Sequence, residues 1–148
     1  KWKYDVPNVG FKYHGNALTA GIGLVQLKYL DEDNDYRRDI ASIYDEELKS
    51  LDYIKIVPTS WYTDKSSRHL YQILVDNNRD ELINHLYKND IYPGVHYVDN
   101  TLYKPYRKYN GTCKRAHEAS DKLITLPIHC NLTNDDVDKV ITKIKEWK

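Results

Sequence analysis

Two short clusters in this 148-residue chain carry the residue types that binding chemistry uses. His96 stands beside Tyr97 at the end of "IYPGVHY", ahead of a long polar stretch, and such strand-end loops are where binding residues concentrate. Taken alone, the pair reads either as a surface histidine at a strand end or as a binding residue with its neighbour. The second cluster opens "GFKYHGNALTAGIGLVQL", Gly10 to Leu27, where Lys12, His14 and Asn16 precede a helix of small residues. The free N–H groups and dipole of a helix start favour an anion, Lys12 adds a full charge, and Asn16 suits the capping position. A capped helix with solvated neighbours is the alternative reading of the same residues.

The other candidates point away from chemistry. His69 and His129 read as packing or pairing residues, and His85 and His117 as solvated helix positions. The acidic run Asp31 to Asp35 lacks the spacing and the glycine of a calcium loop. "GIG" after Ala20 follows no strand, so it is not a dinucleotide fingerprint; glycine there lets another backbone approach. Asn110 begins a glycosylation sequon that matters only in a secreted chain. Cys113 and Cys130 have no metal-ligand spacing and read as free thiols. No nucleophile constellation assembles, and no residue of the chain is assigned a catalytic or a metal-binding role.

Composition sets the frame. The 22 basic residues balance the 22 acidic ones, which argues against a nucleic-acid footprint. No apolar run approaches ~18 residues and no signal pattern opens the chain, so the expectation is a soluble, cytoplasmic protein without a membrane partner. Fourteen tyrosines against one phenylalanine suit half-buried positions whose polar end meets water or ligand. The chain contains no methionine, which reads as a piece of a longer protein or a processed one.

The elements that must position these residues follow from periodicity. Residues 1–16 read as an extended lead-in. Leu18, Ile22, Val25 and Tyr29 recur at helical steps; the acidic run interrupts them; Tyr36, Ile40, Ile43, Tyr44, Leu48 and Leu51 resume. This predicts two consecutive helices, or one kinked helix, ending near Ser50. "YIKIVP" predicts a short strand, Thr59 to Ser67 a polar loop, and His69 to Asp76 the strongest strand. Asn77 or Asn78 then caps a helix, "IYPGVHY" forms a strand, and Val98 to Thr112 forms a long tyrosine-rich loop. "CKRAHEASDKLITLP" runs from helix into strand. Thr133 and Asp136 form a capping box before a helix whose apolar stripe is Val137, Val140, Ile141 and Ile144. Connections too short for repeated βαβ units predict an α+β domain with a small, mostly antiparallel sheet.

As a whole, "YDVPNVGFKYHGNALTAGIGLVQLKYLD" resembles the segment shared by the DegT/StrS family of PLP-dependent nucleotide-sugar aminotransferases. Gly10, Phe11, Lys12, Tyr13 and the helix from Ala17 to Leu27 carry the likeness. "RRDIASIYDEEL", "SSRHLYQILVDNNRDELINHLYKNDIYPGVHY" and "LITLPIHCNLTNDDVDKVI" continue it in the family's order, across nearly the whole chain. The resemblance is to the family's C-terminal part. It implies the small domain of a fold-type I PLP aminotransferase, residues 17–148, with helices over the sheet and a long interdomain helix before it. Residues 1–16 would be an extended segment crossing from a large domain that carries the covalently linked lysine and most contacts to pyridoxal 5'-phosphate.

The resemblance also implies roles. Lys12, His14 and Asn16 would reach the cofactor phosphate of the neighbouring subunit in a homodimer, and His96 and Tyr97 would contact the nucleotide-sugar. Gly15 departs from the bulkier residue usual in relatives, and Thr101 stands where many carry a second histidine. The implied activity is transfer of an amino group from an amino acid, glutamate, to a nucleotide-linked keto-sugar, with this portion alone inactive. A stand-alone, non-catalytic sugar-nucleotide-binding or dimerisation module of the same fold is the alternative.

Overall fold

A computed structural model describes residues 4–57 and 66–147. Residues 4–16 form no regular element and are almost all exposed. Helix α1, Ala17–Gln26, begins at Asn16, whose side-chain oxygen accepts the Thr19 N–H while the Thr19 hydroxyl accepts the Asn16 N–H, a reciprocal cap. One 3₁₀ turn, Leu27–Tyr29, joins it to α2, Leu30–Leu48. The interruption therefore precedes the acidic run instead of falling on it. Asp31, Glu32 and Asp33 fill the first turn of α2, where the helix dipole favours negative charge.

Strand β1, Ile54–Ile56, pairs antiparallel with β2, Tyr71–Val75, which pairs antiparallel with β3, Leu123–Leu126, in the order β1-β2-β3. Of the polar loop expected at Thr59 to Ser67, residues 59–65 lie outside the described residues. Tyr71, Ile73 and Val75 alternate inward as a half-covered strand requires, whereas all four residues of β3 are buried. Three helices close the core over this sheet. Helix α2 contributes Ile40, Ala41, Tyr44 and Leu48; α3, Arg79–Lys88, contributes Leu82, Ile83 and Leu86; α5, Asn134–Lys145, contributes the expected stripe behind its Thr133–Asp136 capping box. Helix α4, Lys114–Lys122, runs directly into β3. Asn78 occupies the cap of α3 in a left-handed conformation, φ 57°, but its side chain makes no capping bond.

Two expected elements change. "IYPGVHY" is not a strand: only Gly94 pairs, in an isolated bridge with Thr125, because in that antiparallel register Tyr92 would face Pro127, which has no N–H, and the His96 carbonyl accepts instead from the Gln72 side chain. The stretch 98–112 is built of two 3₁₀ segments, Asn100–Leu102 and Lys104–Tyr109.

The apolar stripe of α1 buries nothing in this chain. Leu18 is 82% exposed, Ile22 63% and Val25 51%. The core instead uses tyrosines. The rings of Tyr44 and Tyr71 pack 4.9 Å apart, and their hydroxyls donate to the Pro127 carbonyl at 3.0 Å and to the Asp45 carboxylate at 2.7 Å. Tyr53 donates to the Ile144 carbonyl at 2.9 Å, and Tyr36 to the Leu132 carbonyl. Each ring fills apolar space while its hydroxyl satisfies a loop or helix-end acceptor.

Burial, with the Asp136 charge near Tyr44 and the Asp45 hydrogen bond at Tyr71, raises both phenols well above their ordinary value. Both stay neutral when folded and ionise only on unfolding, so their contribution is complete below about pH 10 and falls above it. The loss is about 1.4 kcal/mol per pH unit for each phenol that titrates only in the unfolded chain. Tyr44→Phe should cost about 1 kcal/mol at pH 7 through the lost hydrogen bond. It should also flatten the alkaline decline, as read from urea unfolding at pH 7 and above pH 10.

Candidate functional site

The site grows from the sheet edge. After α3, the Ile91 N–H returns to the Leu86 carbonyl at 3.0 Å, Ile91 and Val95 join the core, and Pro93 is buried between them. Gly94 exchanges two backbone hydrogen bonds with Thr125 of β3, at 2.9 and 2.7 Å. Next in the chain, the His96 carbonyl accepts a hydrogen bond from the Gln72 carboxamide of β2. The His96 ring lies over Gly94 and meets the Tyr97 ring edge-on, at 5.2 Å and 88°. The peptide between His96 and Tyr97 is cis. His96 Nδ1 is buried without a hydrogen-bond partner in the protein.

Around this corner is an open cleft of about 420 Å³ lined by Tyr4, Tyr87, Pro93, Val95, His96 and Tyr97. Its rim is aromatic: Tyr97 is 61% exposed, Tyr92 packs 5.7 Å from Tyr87, and Tyr4 stacks on Tyr103 at 5.8 Å. Exposed phenol faces with hydroxyl tips suit a ligand that carries both a ring and hydroxyls.

The structure thus brings His96 and Tyr97 into one cleft. Lys12 and His14 lie exposed on the segment before α1, and Asn16 is its cap; none of the three lines that cleft. Among the remaining histidines, His69 is exposed instead of packed. His85 is not simply solvated, since its Nε2 meets the Lys143 carbonyl at 2.9 Å. His117 is half exposed, and its Nδ1 lies 3.2 Å from a buried Asp99 oxygen. Among the described residues no group of three or more histidines, cysteines or acidic residues is placed to hold a metal, and no helix is long and apolar enough to cross a membrane.

Sequence reasoning missed Tyr4, Tyr87 and Gln72, which meet the site only through tertiary packing, and it took Gly94 as part of a Pro-Gly turn. It also missed Asp99, for which a local signal existed. In "DNT" the Asp99 carboxylate accepts both the N–H and the hydroxyl of Thr101, each at 2.8 Å, a turn that aspartate favours. Thr101, the departure from the family pattern, is therefore a buried internal pin of the loop. Its N–H and hydroxyl, then the His117 imidazole, hold the Asp99 carboxyl below the ordinary carboxylate range.

Asp99→Asn should destabilise the chain by roughly 1–2 kcal/mol at pH 7. A depressed carboxylate contributes fully above its unfolded value of about 4 and loses that contribution as pH falls through the folded one. Urea midpoints of wild type and variant should therefore converge on acidification.

Comparison with known proteins places the whole chain. The model of the DegT/DnrJ/EryC1/StrS aminotransferase family matches residues 1–145. An uncharacterized protein of Methanocaldococcus jannaschii is 34% identical over 98% of this chain and 40% of its own length. The UDP-4-amino-4,6-dideoxy-N-acetyl-beta-L-altrosamine transaminase of Campylobacter jejuni is 28% identical over 98% of this chain and 42% of its own. In structure, the aminotransferase TlmJ of Streptoalloteichus hindustanus superposes with a TM-score of 0.81 at 30% identity, covering 97% of this chain and 39% of TlmJ. The chain thus spans about two fifths of the length of the curated relatives it matches. Its fold, α+β with an antiparallel sheet under helices, is that of part of a fold-type I aminotransferase.

Proposed function

This chain belongs to the DegT/DnrJ/EryC1/StrS aminotransferase family, and on that premise we propose that it is the C-terminal part of an enzyme moving an amino group from glutamate to a nucleotide-linked keto-sugar. The observation that carries the reading is the His96 cleft, where an imidazole and several tyrosine faces surround a space open to a sugar-nucleotide. In this reading residues 1–16 cross from a large domain and residues 17–148 are the small domain. The exposed stripe of α1 then packs against the rest of the protein or a second subunit, as its bare apolar residues favour.

The family is PLP-dependent, and the residues before α1 fit the cofactor's phosphate rather than its ring. Lys12 offers an exposed ammonium and His14 an exposed imidazole, next to the N-terminus of a ten-residue helix. Asn16 has its oxygen committed to Thr19, so its carboxamide nitrogen is the donor left over. Bound PLP supplies the electron sink of the reaction. The residues of this chain bind and orient: Lys12, His14 and Asn16 toward the phosphate across a homodimer boundary, Tyr97 by its ring face and His96 by its imidazole toward the sugar-nucleotide.

Two measurements on the complete protein check this. A phosphate contact from a charged group is worth roughly 1.5–3 kcal/mol, so Lys12→Ala should weaken PLP retention about ten- to a hundredfold in equilibrium dialysis. Unchanged retention would leave Lys12 as a solvated neighbour of the helix cap. His96→Ala should raise KM for the nucleotide-sugar roughly three- to tenfold, one hydrogen bond's worth, while the half-reaction with glutamate proceeds at its normal rate. Equal slowing of both half-reactions would remove His96 from the sugar site.

A further inference from the structure

We propose that Gly94 is a positioning residue of the cleft: its bare Cα is the shelf that sets where His96 points. The inference rests on the reading of His96 as a nucleotide-sugar contact and adds the residue that aims it. A glycine is most often required by a left-handed backbone, but Gly94 does not have one; the positive-φ glycine among the described residues is Gly111. The requirement at Gly94 is spatial. A Cβ built there stands 2.6 Å from His96 Cε1, 3.1 Å from Nδ1 and 3.6 Å from Nε2, so its first obstacle is the imidazole itself. Gly10, Gly15, Gly21 and Gly23 have nothing within 4 Å of the same construction.

Neither backbone can retreat to make room. Gly94 is held by its two bonds to Thr125 of β3, a fully buried strand, and the His96 carbonyl is held by Gln72 of β2. What remains free to move is the ring, by rotation about its own side-chain bonds. A methyl group at position 94 therefore turns the imidazole off its shelf, brings Nδ1 out of burial and carries the ring away from its edge-on packing with Tyr97. Displacement of a positioned group by about 1 Å can cost a hundredfold in rate, so a shift of this kind is felt by a ligand that the ring must meet. Tyr97 does not replace the contact, because its edge-on packing depends on the same ring.

The test uses Gly94→Ala and His96→Ala, singly and together, in the complete protein. Two readouts are followed: the thermal midpoint, and the half-reactions with glutamate and with a UDP-linked 4-amino-4,6-dideoxy sugar. Gly94→Ala should lower the midpoint, yet cost nothing further when His96 is already alanine. It should also raise KM for the UDP-sugar by the factor seen for His96→Ala and leave the glutamate half-reaction alone. Should Gly94→Ala fail to fold by itself, the double variant still decides the matter, since loss of the ring must rescue it. Equal destabilisation in both backgrounds, or an unchanged KM in Gly94→Ala where His96→Ala raises it, overturns the proposal. If His96→Ala leaves KM unchanged, the reading of the cleft fails, and the midpoints alone decide whether Gly94 holds the ring.

Discussion

The site depends on one pairing, in which Gly94 exchanges two backbone hydrogen bonds with Thr125 of β3. Strand β3 is buried on all four residues, and its neighbours Tyr71 and Ile73 of β2 face the packed core. Whatever is tied to it inherits the rigidity of close-packed side chains. The segment from Pro93 to Tyr97 forms no ladder of its own, so this bridge and the Gln72 contact to the His96 carbonyl hold the corner in place. A side chain on a short irregular segment is placed accurately only when rigid elements support it, and here the central and outer strands do so for His96.

Tyrosine does two kinds of work. Tyr36, Tyr44, Tyr53 and Tyr71 direct their rings into or against the core and bond their hydroxyls to acceptors contributed by α2, α5 or the loops flanking α5. Tyr4, Tyr87 and Tyr97 instead line the cleft, with Tyr92 against Tyr87, and Tyr4, Tyr92 and Tyr97 are largely exposed. The difference lies in what the hydroxyl finds. An acceptor at an element end draws the ring inward, whereas an open rim leaves ring and hydroxyl for a ligand. The loop after the cleft is held in the same economical way, with one buried carboxylate, Asp99, joining its first 3₁₀ turn to His117 on α4.

Helix α1 is the counterpart to this self-sufficiency. Its cap is complete and its helix regular, yet none of its residues is buried by the chain. Leu18, Ile22 and Val25 stay exposed on it, and in the proposed reading they need the rest of the protein or a second subunit to cover them. That need agrees with a chain that spans about two fifths of its relatives.

Local signals in the sequence were enough for much of this. The Asn16 and Thr133 caps, the stripe of α5, the passage from α4 into β3 and the strand at Tyr71–Val75 depend on residues within a few positions of one another, and each formed where its spacing pointed. The family pattern extended that legibility to His96 and Tyr97 as a pair, which the fold sets beside each other at the cleft. Tertiary structure decided the rest. "IYPGVHY" has the composition of a strand, but its ladder stopped at Gly94, since Tyr92 would face Pro127 across the sheet and the His96 carbonyl is taken by Gln72. The helical period of α1 specified a helix without saying whether this chain would cover it. Tyr4, Tyr87 and Gln72 carry no local mark of the cleft, because what places them there is contact between residues far apart in the chain. Sequence spacing determines conformation over one or two turns, and the site exists only where separate elements meet.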